Sequence, residues 1–161
     1  YKALPIESQP DAQMAVTSDG RVSANALHCQ GVVSMARSDN PNSGNSQFFI
    51  MRQPNSALDK RYTIFGRVVW GQEAVMQIAV GNPPPNPDRM VAVRVAADLP
   101  EAERAPIYVL RTDGPQFRDL IDETRRERRA DFSVCDVQIP ARVPRNPNRE
   151  RSWWSIIPFI P

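Results

Sequence analysis

The stretch Val32-Val33-Ser34-Met35-Ala36-Arg37, with Asn40-Pro41-Asn42-Ser43-Gly44-Asn45-Ser46-Gln47-Phe48-Phe49-Ile50 just after it, decides how this chain is read. Gly31 to Ala36 has the short apolar run of a buried strand. Arg37 to Ser46 gathers Asn, Asp, Ser, Pro and Gly, each of which favours turns for its own stereochemical reason. Ser46 to Met51 returns to a strand pattern. Successive strand side chains point to opposite faces, so Phe48 and Phe49 must serve different surroundings.

Moving outward, Gln53 to Lys60 is a second loop, and Leu58-Asp59-Lys60 within it reads as a turn. Tyr62 to Val69 is a third strand, in which Gly66 suggests a bend or bulge. Gly71-Gln72-Glu73 opens a short helix, with Glu73 in the first turn, where a negative charge is favoured. Ala74, Val75, Ile78 and Ala79 recur at helical spacing. Gly81 and the run Asn82-Pro83-Pro84-Pro85 stop that helix. Val91 to Ala97 alternates weakly and is expected to be a fourth strand. Residues 1 to 27 read as irregular.

Composition shifts after this point. Leu99 to Pro106 is a polar linker and Ile107 to Leu110 a short strand. Phe117 to Arg129 has a helical pattern with Phe117, Leu120, Ile121 and Thr124 on one side, and arginines at the end that suits the helix dipole. Phe132 to Ile139 alternates as a strand. Two regions result, residues 1 to 99 and an appendage over 100 to 161. No internal repeat is evident.

The two segments Val32–Ile50 and Leu58-Asp59-Lys60-Arg61-Tyr62-Thr63-Ile64-Phe65-Gly66-Arg67-Val68 together resemble the signature of cyclophilin-type peptidyl-prolyl cis-trans isomerases. The resemblance covers about residues 28 to 97 and looks bacterial. It implies a mainly β fold, part of an antiparallel β-barrel, with about four barrel strands and one helix, plus a small α+β extension. The N-terminal half of the barrel would be missing. A half barrel leaves unpaired strand edges and an open apolar face.

The resemblance also implies a site. Phe49 matches the aromatic floor of a proline pocket, Leu58 its apolar wall, and Gln47 a glutamine lining the groove. Ala36 and Arg37 match an Ala-Asn pair whose backbone binds the substrate strand, with Arg37 departing from asparagine. Tyr62 takes a rim position often held by histidine. Ala57 replaces an aromatic residue that many members use against cyclosporin, which implies weak cyclosporin binding. The family's catalytic arginine lies in a Phe-His-Arg motif that this sequence lacks, so no catalytic residue is assigned and the chain alone is expected to be weakly active or inactive.

The implied function is prolyl isomerisation in assistance of protein folding, acting on proline-containing polypeptides, with no cofactor and no metal. The alternative is a non-catalytic module that holds proline-containing peptides. The full-length form is expected to be monomeric. The compartment is left open between bacterial cytoplasm and periplasm.

The remaining features bound these readings. With 20 basic and 18 acidic residues the net charge is +2, too balanced to argue for a nucleic-acid partner. No apolar run approaches the ~18 residues of a membrane-spanning helix. The sequence begins at Tyr1 without methionine, which suggests processing or a piece of a longer protein. His28, the single histidine, is expected to be structural. Cys29 and Cys135 lack metal-ligand spacing; a disulfide between them stays open, and two free thiols is the favoured reading. Arg142 to Arg151 is expected to be a solvated linker, with binding to an anionic surface as its alternative. Trp153, Trp154, Ile156, Ile157, Phe159 and Ile160 form an apolar cluster expected to dock on the domain.

Overall fold

The computed structural model describes residues 4–8, 24–143 and 159–160. Residues 144–151 of the expected linker and most of the Trp-containing cluster therefore lie outside the described residues, whereas Arg142, expected in a solvated linker, ends a strand and lies over the Tyr108 ring. The chain forms two compact units, residues 1–68 with 112–138, and residues 69–111 with 139–161. This grouping differs from a division at residue 99, because part of the appendage joins the first unit.

The first unit is built on β3 (Val32–Met35), β4 (Phe48–Ile50) and β5 (Ile64–Arg67), in the antiparallel order β4-β3-β5. Gly31 takes φ 80°, a left-handed conformation that only glycine adopts freely. The turn there lets Gly31 bind both neighbours of β3, through its N–H to Met51 O (2.8 Å) and its carbonyl to Val68 N (2.7 Å). Register pairs Ser34 with Phe49 and with Ile64, so these three share one face with Val32. Between Val33–Gly66 and Ser34–Ile64 the ladder slips by one residue, a bulge that leaves Phe65 unpaired. The bend expected at Gly66 is this bulge.

The core lies on the Ser34 face. Cys29, Val32 and Met51 are buried, with Leu27, Phe49, Leu58, Ile64 and Cys135 packed against them. The opposite face carries Met35, Phe48 and Phe65. Phe48 does point away from Phe49, but it is 44% exposed rather than packed, and Phe65 is 55% exposed. Phe48 and Phe65 thus leave apolar surface exposed on this face.

Three sequence expectations are corrected here. The N-terminal stretch is not wholly irregular: β1 (Ile6–Ser8) pairs antiparallel with β2 (Ala24–Ala26). Phe132 to Ile139 is not a strand. It contains a 3-10 turn over Val134–Asp136, because the Ser133 hydroxyl accepts from Cys135 N and the Asp136 carboxylate accepts from Ser133 N. Such a capping box gives the backbone a local partner that competes with a ladder. Third, Cys29 and Cys135 are not free thiols but form a disulfide. Their separation of 106 residues put the pairing beyond any local sequence signal. The expected helix is found as α2 (Pro115–Arg128), with proline in its first turn and Arg125, Arg126 and Arg128 in its last. (The shorter helix α1, Gln72–Gln77, belongs to the second unit.)

The second unit contains α1 (Gln72–Gln77), opened by Gly71 with Glu73 in its first turn. It also holds a three-stranded antiparallel sheet of order β7-β6-β8, from β6 (Tyr108–Leu110), β7 (Ala141–Arg142) and β8 (Phe159–Ile160). The fourth barrel strand expected at Val91 to Ala97 is corrected: residues 91–95 carry no ladder. Val91, Val93 and Val95 are 97%, 73% and 63% exposed. β-branched residues favour extended backbone, but a strand exists only through a partner.

Candidate functional site

The side chains expected to floor and wall the groove gather on the Ser34 face of the first unit. Phe49 is half-buried in β4, held in register by Ser34. Its ring stacks on His28 with centroids 6.0 Å apart and meets the edge of Tyr62 at 5.6 Å. Leu58 ends a 3-10 turn over Ser56–Leu58, capped by the Asn55 side chain accepting from Ala57 N at 3.1 Å. Leu58 and Phe49 pack against the same buried cluster. Phe49 thus meets Tyr62 and shares its packing with Leu58, which brings the three together.

The other expected residues border these three. Ala36 N–H donates to Gln47 O at 2.9 Å, which continues the ladder beyond Met35 and sets the two residues side by side. Gln47 and Ala57 are exposed. Arg37 is not the free loop charge that its sequence context allows. Its guanidinium lies 4.7 Å from the Tyr62 ring centroid. It donates to Arg61 O (2.8 and 3.3 Å), Ser38 O (2.8 Å) and Asp39 O (3.3 Å). Arg37 thereby ties the 37–46 loop to the loop bearing Leu58 and Tyr62.

Sequence reasoning missed what holds these residues in place. His28 is 1% exposed. Its ring Nδ1–H donates to Asp59 Oδ1 at 2.8 Å, and its backbone N–H donates to the same oxygen at 2.7 Å. His28 Nε2 lies 3.1 Å from Ser34 Oγ, and the Ser34 hydroxyl donates to Thr63 O at 2.9 Å. His28 O accepts from Asn55 N at 3.0 Å. The structural role expected of His28 is therefore specific: one buried side chain fixes both the floor, through Phe49, and the wall loop, through Asp59. A signal existed in that Asp59 is the one acidic residue of the Leu58 turn.

A cavity of about 330 Å³ adjoins this network, lined among others by His28, Asn55, Asp59, Ser133 and Cys135. A second, of about 320 Å³, lies by Met35, Arg37, Gly44 and Phe65. At the end of β5, Arg67 donates to Gln138 Oε1 at 2.6 Å, and partial burial lowers its pKa from the usual arginine value. Among the described residues no group of His, Cys, Asp and Glu could hold a metal ion. No helix among them is long and apolar enough to cross a membrane.

Comparison with known proteins identifies the family. Residues 2–95 match the family described as cyclophilin type peptidyl-prolyl cis-trans isomerase/CLD. A probable peptidyl-prolyl cis-trans isomerase of Brucella abortus is 45% identical over 74 residues, which are 43% of this chain and 38% of that protein. Peptidyl-prolyl cis-trans isomerase 4 of Caenorhabditis elegans is 43% identical over 61 residues, 38% of this chain and 12% of that one. The crystal structure of cyclophilin AquaCyp293 from Hirschia baltica superposes with a TM-score of 0.78 at 38% identity, covering 89% of this chain and 53% of that one. The chain thus spans well under two thirds of the length of these relatives.

Proposed function

This chain belongs to the cyclophilin-type peptidyl-prolyl cis-trans isomerase family, and we propose that it supplies the C-terminal part of a proline-binding groove in an isomerase that assists protein folding. The observation that carries this reading is the Phe49 ring framed by His28 and Tyr62 beside Leu58. A prolyl ring needs an apolar seat, and a rigid aromatic floor provides one at little entropic cost. Gln47, Ala36, Arg37 and Ala57 border the seat and contact the flanking peptide.

The chemistry needs neither nucleophile nor metal. Resonance raises the barrier to rotation about a peptide bond to ~18–20 kcal/mol. For X–Pro bonds the isomers differ by only ~0.5–1 kcal/mol, so a groove that binds the twisted state better than either planar one accelerates exchange. Phe49 and Leu58 hold the ring while the preceding carbonyl turns. A donor aimed at the prolyl nitrogen completes such a site by drawing its lone pair out of resonance.

A second reading, a proline-peptide binding module without turnover, is favoured by one observation. Arg37, the guanidinium beside Tyr62, spends its bonds on three backbone carbonyls and is not poised to act as that donor. Exchange spectroscopy on an Ala-Ala-Pro-Phe peptide with the full-length protein that contains this chain separates the two. Faster cis-trans exchange supports the isomerase; binding without faster exchange supports the module; no binding overturns both. The disulfide favours, of the two compartments, the oxidising periplasm.

A further inference from the structure

We propose that the Cys29–Cys135 disulfide is a redox-sensitive tether for the groove wall, such that its two-electron reduction loosens the loop from Asn55 to Tyr62 and weakens binding of proline peptides. The binding half of this inference rests on the groove reading above.

The bond joins the site to a segment the groove does not otherwise use. Cys29 is fully buried and directly follows His28, whose backbone and ring hold Asp59 and Asn55. Cys135 packs on the same cluster as Phe49 and Leu58. It is presented by the capped turn over Val134–Asp136, so the local fold fixes its direction. Besides the disulfide, the Arg67–Gln138 hydrogen bond links this segment to the sheet.

Access to the two sulfurs is unequal. Cys29 has no exposed surface, whereas Cys135 is half-buried and lines the 330 Å³ cavity together with Asn55 and Asp59. An incoming thiolate therefore meets Cys135. Accessible disulfides are the labile ones, and attack proceeds through a mixed disulfide. A dithiol reductant as thiolate attacks Cys135 Sγ and expels the Cys29 thiolate, which takes up a proton. The second thiol of the reductant, as thiolate, attacks its own sulfur in the mixed disulfide and expels the Cys135 thiolate, which is protonated in turn. The protein gains two electrons and two protons, and the reductant leaves as its disulfide. Cys29 stays in its apolar cluster as a neutral thiol. Cys135 is freed, and the cavity side of the wall loop loses its covalent backing.

The test is amide hydrogen exchange on the full chain, oxidised and after dithiothreitol, with titration of an Ala-Ala-Pro-Phe peptide against each form. Exchange at Asn55, Asp59 and Tyr62 is expected to accelerate about tenfold on reduction, and the peptide Kd to rise about as much, within the usual range of site coupling. The variant Cys135→Ser is expected to reproduce both changes without reductant. Unchanged exchange at these amides overturns the tether. So does equal acceleration at Met51 and Val68, whose amides lie in the sheet, since that reports global destabilisation. Faster loop exchange with no peptide binding by either form supports the tether and overturns the groove reading.

Discussion

One carboxylate oxygen, Asp59 Oδ1, accepts two hydrogen bonds from a single residue, from the His28 backbone N–H at 2.7 Å and from its ring Nδ1–H at 2.8 Å. This pins the turn after Leu58 to the residue beneath Phe49. Asp59→Ala would leave two donors without a partner, one of them on a fully buried ring. At about 1–3 kcal/mol for each buried unsatisfied group, the variant is expected to lose roughly 3 kcal/mol. Asp59→Asn keeps an accepting oxygen and is expected to lose less than half of that. Urea midpoints at unchanged m-value check both.

The two phenylalanines of β4 face opposite ways, and their variants are expected to diverge. Phe49→Ala removes the seat and its contacts with His28 and Tyr62. A loss of at least tenfold in proline-peptide affinity is expected, about 1.4 kcal/mol. Phe48→Ala, on the exposed face, is expected to leave the peptide Kd within twofold. Parallel titrations by NMR measure the pair.

Arg37 joins two loops through a planar fork of donors and lies over Tyr62. An ammonium cannot reproduce several fixed N–H directions. Arg37→Ala is expected to cost about 1–2 kcal/mol and Arg37→Lys to recover less than half. An exposed cation–π contact contributes about 0.5–1 kcal/mol of this. Thermal denaturation of the two variants gives the comparison.

Val91, Val93 and Val95 are exposed β-branched residues in a segment that carries no ladder, free to pair as an edge with another chain. Edges of this kind template association between chains. Val93→Lys is expected to lower the self-association of this chain at a given concentration without lowering its unfolding midpoint. Light scattering across a dilution series, beside a urea curve, tests it; unchanged scattering would show that the edge is not the associating surface.

Much of the first unit was legible because its signals are local. The turn-rich Arg37–Ser46 loop, the strands on either side and the bulge near Gly66 follow from residue types within a few positions of one another. The candidate site residues could be named only through the resemblance rather than through periodicity, since Phe49 and Leu58 by themselves are ordinary core residues. Val91–Ala97 and Phe132–Ile139 misled for opposite reasons. The first has strand propensity and no partner. In the second, Ser133 and Asp136 offered the backbone a closer partner than any strand did.

The sequence by itself determined the local conformations of the first sheet and its loops, the alternation that sends Phe48 and Phe49 apart, and the family, because all of these are written in types and spacings along the chain. Only the tertiary structure decided that Cys29 meets Cys135, that Asp59 closes on His28, and that Arg37 gives its donors to a neighbouring loop. Those contacts join residues 106, 31 and 24 positions apart. Chain entropy opposes such meetings, and only the packing of the whole unit makes them favourable.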